Sequence, residues 1–197
     1  MIRSAGTILL LAISMGSIMT TTSCKKKQKN VSAADTMAGN YFSINQFIID
    51  EWNTFQGEPF MISKSVKEGE HVDSSLTNSD TISWAPIVKI FAESDISDRK
   101  YLGQYKFSQF DDPSDQTHDF FYEANDEDLF TQQLLIVIDR FTSQVRSIIV
   151  KTRKKTLFDE CEQKLYYAPL KTIQIQTDDK PLLGSKKNTV VQYTFIR

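Results

Sequence analysis

Residues 170–177, Leu-Lys-Thr-Ile-Gln-Ile-Gln-Thr, alternate apolar and polar side chains with a period of two. Successive residues of a strand face opposite ways, so Ile173, Ile175 and Thr177 share one face while Gln174 and Gln176 share the other. Residues 189–196 repeat the pattern, with Val191, Tyr193 and Phe195 set against Gln192 and Thr194. Both stretches read as strands with one wet face. Leu134 to Ile138 (LLIVI) is instead a continuous apolar run, which predicts a central strand covered on both sides.

Working outward, further strands are expected at Tyr101–Phe110, His118–Ala124, Gln133–Asp139, Val145–Arg153 and Thr156–Ala168, with the two alternating strands at Leu170–Thr177 and Thr189–Ile196. The connections are too short for crossover helices, so successive strands should pair antiparallel. Upstream, Tyr41, Ile44, Phe47, Ile48, Trp52 and Phe55 recur at helical spacing. Ser43 and Gln46 form an S-x-x-Q capping box, and Gly57 and Pro59 end the helix. Phe60 to Val66 reads as a short strand and Lys67 to Asp80 as a polar loop. A second helix is expected over Ser83–Ser94, with Trp84, Ile87, Val88 and Phe91 on one face and Pro86 in the first turn, where its missing N–H costs nothing. Trp52 and Trp84 should both bury against the sheet. The fold class is α+β: two N-terminal helices packed on one face of a meandering, mostly antiparallel sheet of about six or seven strands, spanning residues 41–197.

The N-terminus has a different character. Arg3 precedes an uncharged stretch from Ala5 to Met19, about the length of a signal-peptide core and short of the ~20 residues of a membrane span. Thr20-Thr21-Thr22-Ser23 then leads into Cys24. This resembles the lipobox of bacterial lipoproteins, with Thr21 standing where Leu is preferred. The resemblance implies a signal peptide over 1–23, cleavage before Cys24, and acylation of that cysteine with fatty acids such as palmitate. Lys25 to Asn40 is polar and holds almost no large apolar side chain, so residues 24–40 read as the lipidated cysteine and a flexible tether. No acidic residue follows Cys24 at positions 25 or 26. The inner-membrane retention signal of sorted lipoproteins is therefore absent, which favours the outer membrane.

Composition bounds the function. Of the 23 basic residues Arg3 leaves with the signal peptide, so 22 face 25 acidic ones. That is no polycation, and nucleic acid is excluded as an expected partner. With Cys24 lipidated, Cys161 is the one thiol left, and a lone cysteine forms no intramolecular disulfide. The order Trp84 and Phe91, Asp95-Ile96, Tyr101-Leu102-Gly103-x-Tyr105 and Pro181-Leu182-Leu183-Gly184-x-Lys186-Lys187 resembles a family of short, uncharacterised envelope lipoproteins with a strand-rich C-terminal half. The resemblance implies no activity.

Chemistry-bearing residues are few. His71 and His118 stand in polar surroundings; His118 neighbours Asp115 and Asp119, but without metal-ligand spacing both histidines read as surface groups. Cys161 reads as a half-buried, inert thiol sharing a strand face with Leu157, Leu165 and Tyr167. Asp111, Asp112 and Asp115, and Asp126, Glu127 and Asp128, read as solvated turns. The basic run Lys151, Arg153, Lys154 and Lys155 is expected at a hairpin tip. No cofactor, metal or catalytic residue is expected. The favoured function is a lipid-anchored envelope protein binding a partner protein or an apolar ligand. The alternative is an envelope hydrolase whose carboxylates are brought together only by the fold. An apolar, helix-lined cavity would favour the first, and converging carboxylates with opposed pKa shifts the second.

Overall fold

The computed structural model describes residues 41–55 and 57–196. The expected signal peptide, Cys24 and tether lie outside the described residues. Among those described, no helix is long and apolar enough to cross a membrane.

The first helix, α1, spans Ile44–Phe55. The capping box forms by half: the Gln46 N–H donates to Ser43 Oγ at 3.1 Å, but the Gln46 amide turns forward to Asp50. Asp95 supplies the missing acceptor, with its Oδ2 taking Ser43 Oγ–H at 2.7 Å and the Asn45 N–H at 3.0 Å. A distant residue therefore satisfies donors that the helix leaves free at its start. Asp95→Ala is expected to cost ~1–2 kcal/mol, the usual range for a lost cap, read as a lowered urea midpoint at unchanged slope. An unchanged midpoint would show that water caps α1 equally well.

Strand β1 (Met61–Glu68) and strand β2 (His71–Asn78) form a hairpin, with Gly69 at a φ of +59° in the two-residue turn. Here the expected loop over Lys67–Asp80 is corrected. Val72-Asp73-Ser74-Ser75-Leu76 shows little β propensity, and its residues are exposed. It is a strand because β1 supplies a ladder for it at the sheet edge. The second helix, α2, spans Trp84–Glu93, with Pro86 in its first turn. Seven strands follow: β3 Tyr105–Asp112, β4 Thr117–Ala124, β5 Thr131–Asp139, β6 Val145–Lys155, β7 Asp159–Ala168, β8 Thr172–Pro181 and β9 Lys187–Ile196.

All nine strands join one open antiparallel sheet in the order β2-β1-β9-β8-β7-β6-β5-β4-β3. The class is α+β, but the sheet is larger than expected, and a two-stranded hairpin stands between the helices where a single short strand was expected. The β1–β2 hairpin separates them in sequence and pairs with the last strand, Ile62 lying opposite Phe195.

Register shows which face is covered. Ile148, Tyr167, Ile173 and Tyr193 lie opposite one another on successive strands. Both helices reach this face: Phe47 of α1 and Phe91 of α2 meet the Tyr167 ring, and Trp84 meets Tyr193 and Phe195. Ile173 and Ile175 are buried as their alternation predicted, and Gln174 and Gln176 are half-exposed. Within Leu134–Ile138 the cover is one-sided. Leu134 and Ile136 are fully buried, while Leu135 and Val137 face the other way and are half-buried. Leu135 lies between Phe121 and Ile149 on the neighbouring strands, so side-chain crowding across the ladder shelters a face that neither described helix covers.

Candidate functional site

The inward stripe of α1 is Ile44, Ile48, Glu51 and Phe55, steps of four, three and four residues. A carboxylate therefore sits where helical periodicity calls for an apolar side chain. Trp52, one residue on, is turned aside and is 41% exposed. This corrects the expectation that it buries against the sheet. Trp84 is half-buried as an anchor: its ring stacks on Phe195 at 6.1 Å and its Nε1–H donates to the Ser79 carbonyl at 2.9 Å.

Between the two helices and the sheet lies a pocket of about 470 Å³, within the range typical of small-molecule sites. Ile48, Trp52 and Phe55 form one wall, Trp84, Val88 and Phe91 the other, and Tyr167, Ile173 and Phe195 the floor. The rings of Trp52 and Trp84 stand 6.1 Å apart on the two helices. Leu170, also on the lining, holds a φ of +52°, a left-handed conformation that a branched side chain adopts at a cost.

Glu51 is the chemically unusual member of the lining. Its Oε2 is buried and has no hydrogen-bond partner among the described residues. Burial raises its carboxyl above the ordinary range, because low-dielectric surroundings disfavour the charged form. Burial also pushes the Tyr167 phenol up, and the charge of Glu51 adds to that rise, so the two groups lie within electrostatic reach. Glu58 and Asp80 also line the pocket, and no Lys, Arg or His does among the described residues.

Residues singled out from the sequence lie elsewhere. His71 begins β2, exposed and opposite Glu68. His118 Nδ1 hydrogen-bonds Asp111 Oδ1 across the β3–β4 ladder rather than meeting Asp115 or Asp119. Asp119 faces the other side of the sheet, with a buried Oδ1 that has no partner among the described residues. Among the described residues no three of His, Cys, Asp and Glu converge on a ligand position. Cys161 is half-buried in β7, and burial followed by its hydrogen bond to Asp179 pushes its thiol up to about 11. Leu157 does not share its strand, because β7 begins at Asp159 and Leu157 lies in the exposed turn before it.

The acidic turns organise backbone. Asp112 accepts the Ser114 and Asp115 N–H groups, and Asp126 accepts that of Asp128. The basic run is not confined to a tip, since β6 continues through Lys155. Within it Arg153 donates to Glu160 at 2.5 Å and to Glu127 at 3.3 Å. Carboxyls held below their usual range are Asp111, Asp112, Asp139 and Glu160. All four lie outside the pocket lining, so none opposes Glu51 there as an acid–base pair would require.

Glu51 was legible only as an anomaly, a charge within an apolar stripe. No protein-family model, no curated protein and no solved structure matches this chain.

Proposed function

We propose that this chain is a lipid-anchored protein of the bacterial envelope, on the outer membrane, whose folded domain holds an apolar ligand between α1, α2 and the sheet. The observation that supports the binding role is the aromatic pocket with one unpaired carboxyl aimed among apolar side chains. Burial of a polar oxygen without a partner costs ~1–3 kcal/mol, a cost that a ligand group donating to Glu51 would offset. The charged groups on the lining are all acidic, and Trp52 and Trp84, also on the lining, carry the ring type that attracts cations best. The ligand class is therefore an apolar body with a hydrogen-bond-donating or cationic head, rather than an anion such as a fatty acid.

Tryptophan fluorescence titration tests the reading. Decyltrimethylammonium, kept below its micellar concentration, is expected to bind about tenfold more tightly than decanoate, the scale of one desolvated cation–π or charge contact. Failure of both probes to perturb Trp52 and Trp84 would remove the ligand-binding role.

Stability supplies a second check. A carboxyl whose folded pKa is raised favours the folded state most at low pH, and its contribution is lost as pH rises from the unfolded value through the folded one. Glu51→Leu removes that loss and fills the wall. It is expected to raise neutral-pH stability by up to ~1 kcal/mol, discounted for partial exposure, while erasing the preference for the cation. Gain in stability with loss of binding is the signature of a residue kept for function. A destabilised variant would mean that Glu51 has a structural role in the fold.

A further inference from the structure

The β6–β7 and β8–β9 loops meet at one end of the sheet, where the Leu182 N–H donates to the Phe158 carbonyl at 2.7 Å. Each carries two adjacent large apolar residues. Leu157, Phe158, Leu182 and Leu183 are 88%, 74%, 71% and 90% exposed. No other described large apolar residue except Phe141, in the β5–β6 turn, is as open to solvent. The strand ladders are complete without these four side chains, so packing within the domain does not account for them.

Lysines flank them. Lys154, Lys155, Lys186 and Lys187 are exposed and enter no ion pair among the described residues. The acids nearest in the ladder are Glu160, opposite Lys155 and bonded to Arg153, Asp159, bonded to Thr156 Oγ1, and Asp179, opposite Lys187. Lysine is depleted at the centres of protein interfaces. Near an anionic lipid surface each strengthens association about fivefold.

Chain direction adds an independent argument. Because the strands alternate in direction, the β4–β5, β6–β7 and β8–β9 connections share one end of the sheet. Tyr41, the first described residue, lies there too: its hydroxyl accepts the Gly103 N–H at 3.0 Å, and its ring packs on Tyr105, whose strand partner Ala124 precedes the β4–β5 turn. The described chain thus begins at the end that carries the apolar loops.

We propose that this end of the sheet docks on an anionic bilayer. Leu157, Phe158, Leu182 and Leu183 enter the headgroup–acyl boundary, and the four lysines face lipid phosphates. The geometry rests on the lipid-anchored reading; the mass of purified protein reports acylation at Cys24 separately, so failure of the anchor and failure of docking are distinct observations.

The test uses full-chain protein from membranes, reconstituted in phosphatidylglycerol vesicles and in phosphatidylcholine vesicles. An environment-sensitive dye is placed at Leu183→Cys, or at Phe141→Cys at the opposite end of the sheet, each in a Cys161→Ser background. A dye at 183 is expected to shift to the blue and to be quenched by spin-labelled lipid in the anionic vesicles, with a weaker response in the zwitterionic ones. A dye at 141 should read water in both. Lys155→Glu, Lys186→Glu and Lys187→Glu should each lower the docked-to-free ratio at least about fivefold. A chain that proves unlipidated is tested by flotation with the same vesicles, where the same lysine dependence is required. A water-like signal at 183, or equal signals at both positions, overturns the proposal. A dye that is water-like on vesicles but shielded in native envelopes also overturns it, in favour of a protein partner.

Discussion

Truncating Trp84 to Ala is expected to lower the folding free energy by ~3–5 kcal/mol, the range for large aromatic deletions in a core. Its indole joins three elements at once. The ring stacks on Phe195 and contacts Tyr193 across the sheet, and it faces Trp52 on the other helix. Its N–H satisfies the Ser79 carbonyl in the segment leading into α2, and truncation would leave that acceptor without this partner. The loss is a large share of the ~5–15 kcal/mol margin of an ordinary domain. Trp52→Ala should behave differently. With 41% of its surface already in solvent, it is expected to cost less than ~1 kcal/mol of stability while weakening ligand binding at the pocket mouth. Urea melts followed by circular dichroism separate the two. Equal losses for both variants would place Trp52 in the core and argue against its role as a ligand contact.

The largest cellular effect is expected at Cys24. Each buried methylene of an acyl chain contributes ~0.8 kcal/mol, and two chains together hold a protein stably on a bilayer. In the proposed lipoprotein, Cys24→Ser removes the thiol that receives those chains. The expected outcome is complete loss of label from an alkyne fatty acid, with the protein found as unprocessed precursor or released from the membrane fraction. Label undiminished in the variant would sink the anchored reading. The pocket would survive that result, because its argument rests on residues 48–195 alone.

The strands that alternate apolar and polar residues were legible because each carries its own periodicity. Ile173 and Ile175 point inward and their glutamines outward for reasons contained within eight residues. Both helices were legible for the same reason, as was the turn-forming use of the aspartates around Pro113 and Asn125. Strand β2 was not. Its residues have no apolar face, and it extends because Glu68 to Met61 offer a ladder and Gly69 turns the chain back. Nor does local pattern disclose that this hairpin pairs with β9, more than a hundred residues away in sequence.

The sequence by itself determined the class of structure: a strand-rich antiparallel domain with two amphipathic helices, because periodicity and charge are local properties. The tertiary structure decided the site. Glu51 is an ordinary acidic residue until α2 and the sheet close around it and bury its Oε2, and Trp52 is a core candidate until the helix rotates it to the rim. Leu157, Phe158, Leu182 and Leu183 are likewise two separate loop sequences that become one surface only when β6–β7 and β8–β9 turn at the same end of the sheet. Burial and convergence depend on contacts between residues far apart in the chain, and a single sequence carries no local signal for them.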